Sequence, residues 1–563
     1  MRSRNHWFRD RFSSVRCREE APRSRRAGAG PEAAIAAYAR TMTRDARDAG
    51  VSLAALLAAF SFAMDLGLGQ PMAHVLRSWR LASRLGERLG LDPGERSDLF
   101  YTAVLAWAGC VADAPEVAAW FGDDIAFRAD SYKVDLRGVN GAVFFLGHAG
   151  SSGPLTQRVR KTVKIAAQGG RDIERGLMAH CLTTSTMADR LGLDPAVGDS
   201  LRQFFARWDG KGVPGGIGGD RIGLGMRLFH LADVVEVLHR EAGIDAAVDA
   251  ARSRRGTHFD PAVVDAFCAS ARELLADGDA EPDYGELIAA DPALRRNLTN
   301  AELDSALEVV ADFTDLRSPY RAGHSRGVAD LAARAAAAAG LPDADITLVR
   351  RAALVHDIGL HGVPATILDK PGPLTVTERE RLRMNSYYTE RVLSRPAALS
   401  RIGALAALVY ERLDGSGAHR GLTAPAIPVA ARILAAADTY RAVSEPRAYR
   451  EALPPKRIVA ELRDEVRAGR LDAGAVDAVL DAAGRPRGKR RSGPDGLTPR
   501  EMEVLVLIAR GASTREVARA LGITPKTAGT HIERIYVKTG SSTRSTATLY
   551  AVQHGLLDTL AAD

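Results

Sequence analysis

The sequence predicts an all-α chain, on three observations. Apolar residues recur at helical spacing through Ala/Leu-rich segments such as 74–90 and 324–340. Turn words (GLD, GLP, DG) separate these segments, and no run holds the alternation of a β-strand for long. One long stretch then repeats itself in register.

With 563 residues the chain has room for about three or four domains of roughly 150 residues. Hydrophobic residues make up 46% and charged residues 26%, which excludes a mostly disordered or mostly membrane-embedded chain. Aromatics are only 6%, so Ala, Leu and Val must build the cores. The longest apolar run, 51–64, stops at Asp65. It is too short to cross a bilayer and reads as a buried helix, so no membrane partner is expected.

The net charge of +7 is unevenly placed. Residues 1–30 hold nine Arg against three acids, and the segment 485–491 (RPRGKRR) adds five positive charges. The body between them is mildly acidic. We read 1–30 as a disordered basic tail and 485–496 as a Gly/Pro/basic linker. The four cysteines (Cys17, Cys110, Cys181 and Cys268) lie far apart, without C-x-x-C spacing. That fits a reducing cytoplasm rather than a disulfide framework. The first 30 residues also lack the apolar core of a secretory signal.

The repeat sets the domain organisation. The words from Trp208 and from Leu413 share D-G-x-G and then Ile, Arg and Ala-Asp in register. Asp209 precedes Asp233 by 24 residues, and Asp414 precedes Asp438 by 24. His180 lies 29 residues before Asp209, as Asn385 lies before Asp414. His74 lies 35 before Gly109, as His324 lies before Gly359. This predicts two copies, 51–275 and 300–484.

In the second copy four residues carry metal-ligand chemistry: His324, the adjacent pair His356 and Asp357, and Asp438. Two imidazoles with two carboxylates suit one divalent metal, such as manganese, iron, zinc or magnesium. Such a metal acidifies a bound water and shields phosphate oxygens. If the adjacent His and Asp share one helix, they point about 100° apart. One would then ligate while the other bridges or orients.

The surrounding words carry a resemblance: SPYRAGHSRGVADLA, VHDIGLHGVPATILDKPGPLT, YERLDGSGAHRGL and IPVAARILAAADTYRA. Together they resemble the HD-GYP branch of the HD phosphohydrolase superfamily, over about 315–480. The resemblance implies an all-helical domain that hydrolyses phosphodiesters, often cyclic di-GMP, with two or three metals. This chain departs from the pattern. Leu360 stands where the family has Lys, Asn385 where it has His, and Val409 and Tyr410 where it has a His pair. The G-Y-P word reads Gly417, Ala418, His419. Ligands for a second metal are therefore largely absent, leaving the quartet His324, His356, Asp357 and Asp438. Asp357 and Lys370 (in D-K-P-G) are the candidate catalytic residues, Lys370 as a phosphate contact. In the first copy Ala106 and Trp107 stand opposite His356 and Asp357, so that copy is expected to be non-catalytic.

The last segment, 497–563, reads as a helix-turn-helix unit. Thr498 caps a helix opened by Pro499, and Gly511 ends it. Ser513 and Glu516 form a capping box, and Gly522 ends that helix. Thr524 caps a third helix with Ile532, Ile535 and Tyr536 inward. Lys526, Thr527, Thr530, His531, Arg534 and Lys538 are the candidate DNA contacts, since the second helix of such a pair enters the major groove. The words L-T-P-R-E-x-E-V-L, E-V-A-x-x-L-x-I-T-P-K-T and I-Y-x-K resemble the LuxR-type (GerE-like) DNA-binding domain. That implies four helices, double-stranded DNA as partner and a homodimer on inverted half-sites. Gly529 inside the recognition helix costs about 1 kcal/mol relative to Ala.

The expected architecture is two tandem HD-type helical domains plus a four-helix LuxR-type unit. The function expected is transcriptional regulation, with the HD copies sensing a small-molecule or nucleotide ligand or supplying a dimer interface. A single-metal phosphohydrolase that also binds DNA stays open beside it, as does an inert scaffold.

Overall fold

The computed structural model describes residues 50–150, 155–276, 283–395, 397–484 and 494–558. The basic tail and linker residues 485–493 lie outside these. Among the described residues every named element is a helix, as the periodicity predicted. Extended pairing is limited to isolated bridges such as Phe205 with Val213 and Asp414 with Thr423.

The first apolar run is the helix Leu53–Gly67. Ser52 starts it, its Oγ accepting from the Ala55 N–H at 3.1 Å. The helix is buried on nearly every face, and Phe60 meets His361 of the second half edge-on at 5.8 Å. A second stretch, Pro93–Phe121, is long and apolar enough by composition to span a membrane. In the fold it is two helices, Pro93–Ala106 and Cys110–Phe121, with 67% of its apolar window buried.

Some positions paired by the sequence repeat adopt the same local geometry. The helices His74–Arg88 and His324–Ala338 both open on the histidine. Each follows a left-handed residue, Ala73 (φ 73) and Gly323 (φ 74). Glycine enters that region freely, while Ala73 is there at a steric cost. Each helix start is tied to a buried aspartate: Val75 N–H donates to Asp65 Oδ1 at 3.0 Å, and Ser325 N–H to Asp315 Oδ2 at 2.8 Å. Farther on, Trp208 N–H donates to the His258 carbonyl, as Leu413 N–H does to Arg470.

The two halves are joined through buried charges. Asp124 accepts from Arg128 at 2.8 Å and from the Ala365 N–H at 2.9 Å, and pairs with Arg317 at 2.9 Å. Asp312 binds both Arg190 and Arg326. A buried carboxylate is tolerated when its oxygens are this fully engaged.

At the C-terminus four helices follow: Pro499–Ala509, Thr514–Leu521, Pro525–Thr539 and Arg544–Gln553. The capping residues act as expected, with boxes at Thr498/Glu501 and Ser513/Glu516 and a left-handed Gly522. Val504, Leu505, Ile508, Val517 and Ile535 form the core of this unit. The third helix runs through Gly529 without a break. The unit docks against the loop before His324: Ala322 packs on its core, Gly511 lies against the Tyr320 ring, and Leu557 lies beside Gly323.

Candidate metal centre and nucleic-acid interface

Three of the four predicted ligands meet in one buried place. His324, His356 and Asp438 each offer a ligand atom, and these atoms lie within 4.8 Å of one another. His324 comes from the first turn of its helix and Asp438 from the helix Val429–Ser444. His324 Nε2 is 3.1 Å from Asp438 Oδ1, and its Nδ1 is 2.7 Å from Glu445 Oε2. Glu445 thus orients the ring from behind, a common arrangement around metal-binding histidines. Burial works against charge on Asp438, yet its hydrogen bonds and Coulomb attraction to His324 and His356 hold the carboxyl well below its usual range.

The pair His356 and Asp357 departs from the expectation of two residues on one helix. The helix Asp343–Val355 ends just before them, and the chain turns into a short 3-10 segment from Ile358. The turn brings both side chains to the same side. His356 Nε2 lies 3.1 Å from Asp357 Oδ2 and 3.5 Å from Asp438 Oδ1. Its Nδ1 donates to the Ala353 carbonyl at 2.6 Å, which leaves Nε2 as the free lone pair.

The residues fit a divalent metal on the structure's own terms. His356 Nε2 is buried and lacks a hydrogen-bond partner. Leaving such an atom unsatisfied between two carboxylates is costly unless something else occupies the space beside it. Asp357 Oδ1, by contrast, accepts from Asn385 Nδ2 at 2.7 Å and from the Tyr410 hydroxyl at 2.8 Å. These two residues stand where the HD-GYP pattern has histidines. They are donors here, so they grip the carboxylate rather than a second cation. Gly359 makes the approach possible, because a Cβ there would collide with the Asn385 carbonyl. Arg321 pairs with Asp357 Oδ2 from the other side.

Sequence reasoning missed Arg321 and Glu445. The only available signals were a basic residue three before His324 and an acid seven after Asp438. Lys370 is not part of the centre: its ammonium pairs with Glu378 at 2.6 Å, at the start of the helix Val376–Ser394.

The matching place in the first half holds a different arrangement. His74 Nδ1 is 2.5 Å from Glu236 Oε2, and Nε2 is 3.1 Å from Asp233 Oδ1. The Trp107 indole N–H also donates to Asp233 Oδ1, at 3.1 Å. Burial disfavours the His74 cation, but Glu236 and Asp233 hold its pKa up to about 10. His180 faces the Ala106 carbonyl at 2.7 Å instead of a ligand site. Among the described residues, only the second half assembles a metal-type cluster.

In the C-terminal unit, Lys526, Thr527, Thr530 and Arg534 are exposed along the third helix, and His531 is half-buried. Lys538 Nζ pairs with the buried Glu501 at 2.7 Å, bracing the third helix against the first. Val537 is 83% exposed beside the Arg534 face, an apolar residue with no packing role.

Comparison with known proteins agrees with this geometry. The HD domain family matches residues 308–474, and the family of bacterial regulatory proteins of the luxR type matches 495–551. A 3'3'-cGAMP-specific phosphodiesterase 3 of Vibrio cholerae is 31% identical over 424 residues, covering 74% of this chain and 91% of that protein. The crystal structure of a cyclic GMP-AMP specific phosphodiesterase from V. cholerae superposes with a TM-score of 0.55 at 27% identity, over 78% of this chain and 99% of that one. The transcriptional regulatory protein MctR of Rhizobium johnstonii is 40% identical over 88 residues, which are 16% of this chain and 38% of that protein. The 424-residue match is longer than everything from residue 300 onward, so it reaches into the first half. The chain therefore belongs to the HD-GYP-type HD proteins, and carries a luxR-family domain at its C-terminal end.

Proposed function

We propose that the protein is a transcriptional regulator that binds double-stranded DNA as a homodimer in the cytoplasm, with its HD-type halves as sensor and dimer platform. In this reading 51–275 and 300–484 are two HD-type copies, 1–30 is a basic tail, 485–496 a linker, and 497–563 the DNA-binding unit. The observation that carries it is the exposed run Lys526, Thr527, Thr530 and Arg534 on the third helix of a well-packed unit. Arg534 and the threonines suit base edges, and Lys526 suits a phosphate. The loop from Pro319 to Gly323 supports a sensing role. It carries Arg321 at the metal centre and also touches the DNA-binding unit through Tyr320 and Ala322.

DNA affinity of the full chain, followed by anisotropy against salt, tests this reading. Lys526→Ala should weaken binding and lower the log–log salt slope of the dimer by about 2, at about 0.9 for the phosphate no longer neutralised in each protomer, while Arg534→Ala should weaken binding with little change of slope. An unchanged slope removes Lys526 from phosphate contact, and an unchanged affinity removes Arg534 from the interface.

A second reading, hydrolysis of a phosphodiester such as a cyclic dinucleotide, is favoured by the His324, His356 and Asp438 cluster with its unpartnered His356 Nε2. The named V. cholerae relatives are phosphodiesterases. His324, His356, Asp438 and Asp357 would hold one divalent metal, which acidifies water and withdraws charge from a phosphate. Glu445 keeps the His324 ring in its ligating orientation. Asn385 and Tyr410 hold Asp357 in one rotamer. Arg321, paired with Asp357, would supply a guanidinium to a phosphate. Release of product from 3'3'-cGAMP, abolished in Asp438→Ala, would favour turnover; stable binding without product would favour sensing alone.

A further inference from the structure

The first half contains a large cleft that no role above uses. Its volume is about 1320 Å³, beyond the roughly 300–1,000 Å³ of ordinary small-molecule sites. One wall is basic. Arg207 pairs with Asp135 through both terminal nitrogens, at 2.9 and 3.1 Å. Arg254 is only 7% exposed and, among the described residues, has no carboxylate within ion-pair distance; its hydrogen bond goes to the Tyr132 carbonyl at 3.3 Å. His258 Nδ1 is buried without a hydrogen-bond partner, and Arg207 Nε faces Asp209 Oδ1 at 3.5 Å. A buried guanidinium without a directly paired carboxylate is expensive, and an incoming anion would relieve it. Burial pushes the Arg254 pKa down and outweighs the attraction of Asp135, a carboxylate already engaged by Arg207.

A second wall is aromatic, with Trp107, Phe204 and Phe205 packed edge to face. The far side belongs to the DNA-binding unit: Tyr536 of its recognition helix, then Thr543 and Arg544. A ligand here touches both the sensor half and the element that reads DNA.

We propose that this cleft binds a nucleotide-sized anion bearing an aromatic ring, phosphate toward Arg254 and ring against Trp107 and Phe205, and that its occupancy changes how the DNA-binding unit is held. The proposal deepens the sensing role above and places the sensor in the first half, apart from the metal centre. Coupling follows only from a difference in ligand affinity between the docked and released arrangements, and it acts equally in both directions.

The experiment is calorimetric titration of the full chain with 3'3'-cGAMP, GMP and AMP, one at a time. At least one should bind at one site per chain. Binding should persist in Asp438→Ala, fall at least tenfold in Arg254→Gln, and fall severalfold in Lys211→Ala, an exposed residue on the rim whose loss leaves the fold intact. Failure of all three probes to bind overturns the proposal. So does binding that Asp438→Ala abolishes, or that Arg254→Gln and Lys211→Ala leave unchanged. Anisotropy with labelled DNA then reads coupling: saturating ligand should shift the DNA dissociation constant by the factor by which DNA shifts ligand affinity. An unchanged value on both sides overturns the coupling. Absence of DNA binding would fault the regulatory reading while leaving the ligand site standing on the calorimetry.

Discussion

The two buried histidine–aspartate centres, around His74 and around His324, differ in what fills the middle. In the second half, His324 and Asp438 face His356, whose Nε2 has no protein hydrogen bond. In the first half, the indole of Trp107 reaches into the equivalent place and donates to Asp233. His74 is held as the cation. With a pKa of about 10 it keeps both ring protons at neutral pH and spends them on Glu236 and Asp233. An imidazolium has no lone pair for a metal. The difference teaches that a metal site can be closed without dismantling its frame. One aromatic donor and one retained proton satisfy the same carboxylate that a cation would otherwise satisfy.

The sharpest test of this contrast removes the aspartate from each centre in turn. Asp438→Ala should take the metal content of chain purified without chelators from about one per chain to none. Asp233→Ala should leave metal content unchanged. It should instead lower stability by about 3 kcal/mol in urea unfolding, because it removes the buried acceptor of both the His74 Nε2–H and the Trp107 indole N–H, while Glu236 still pairs the imidazolium. Metal loss from both variants would erase the distinction between the centres.

Next in size is a pH effect confined to the first half. The folded pKa of His74 is raised to about 10, from about 6.5 in the unfolded chain. Its contribution to stability is therefore fully present below pH 6.5 and is lost as pH rises through 10. At about 1.4 kcal/mol per tenfold change in proton affinity, the wild type should lose a few kcal/mol more than His74→Gln between pH 6.5 and 10. Parallel curves for the two proteins would mean that His74 is neutral when folded, and that the first centre is still open to a metal.

The smallest effect separates the donors themselves. Trp107→Phe keeps the ring but deletes the N–H to Asp233, and should cost about 1 kcal/mol in urea unfolding with no change in metal content. Metal uptake by this variant would show that the indole N–H alone keeps the first centre closed.

Much of this was legible in the chain. The helix Leu53–Gly67, the caps at Thr498, Ser513 and Thr524, and the spacing of the repeat follow from short-range rules. His324, His356 and Asp438 were also readable, because a ligand type at a repeated spacing is a local signal. Arg321 and Glu445 were not, since their roles depend on distances across the fold. Lys370 was read as a phosphate contact from its word, yet its nearest partner is Glu378, a neighbour only eight residues on. Lys538 was read as facing DNA from its place on the helix. Its pairing with Glu501, 37 residues back, could not be seen from that place.

The sequence by itself determined the helical class, the caps of the C-terminal helices and the residue types that meet at His324, His356 and Asp438. Periodicity, capping and residue chemistry act over a few residues, so they survive in one dimension. The tertiary structure alone decided that Trp107 closes the first centre and that Asn385 and Tyr410 grip Asp357. It also decided that Arg254 is buried without a directly paired carboxylate, and that the luxR-family unit rests on the loop before His324. Each depends on which groups meet across long chain separations and which are deprived of water. Burial sets the cost of an unmatched charge, and only the packed fold sets burial.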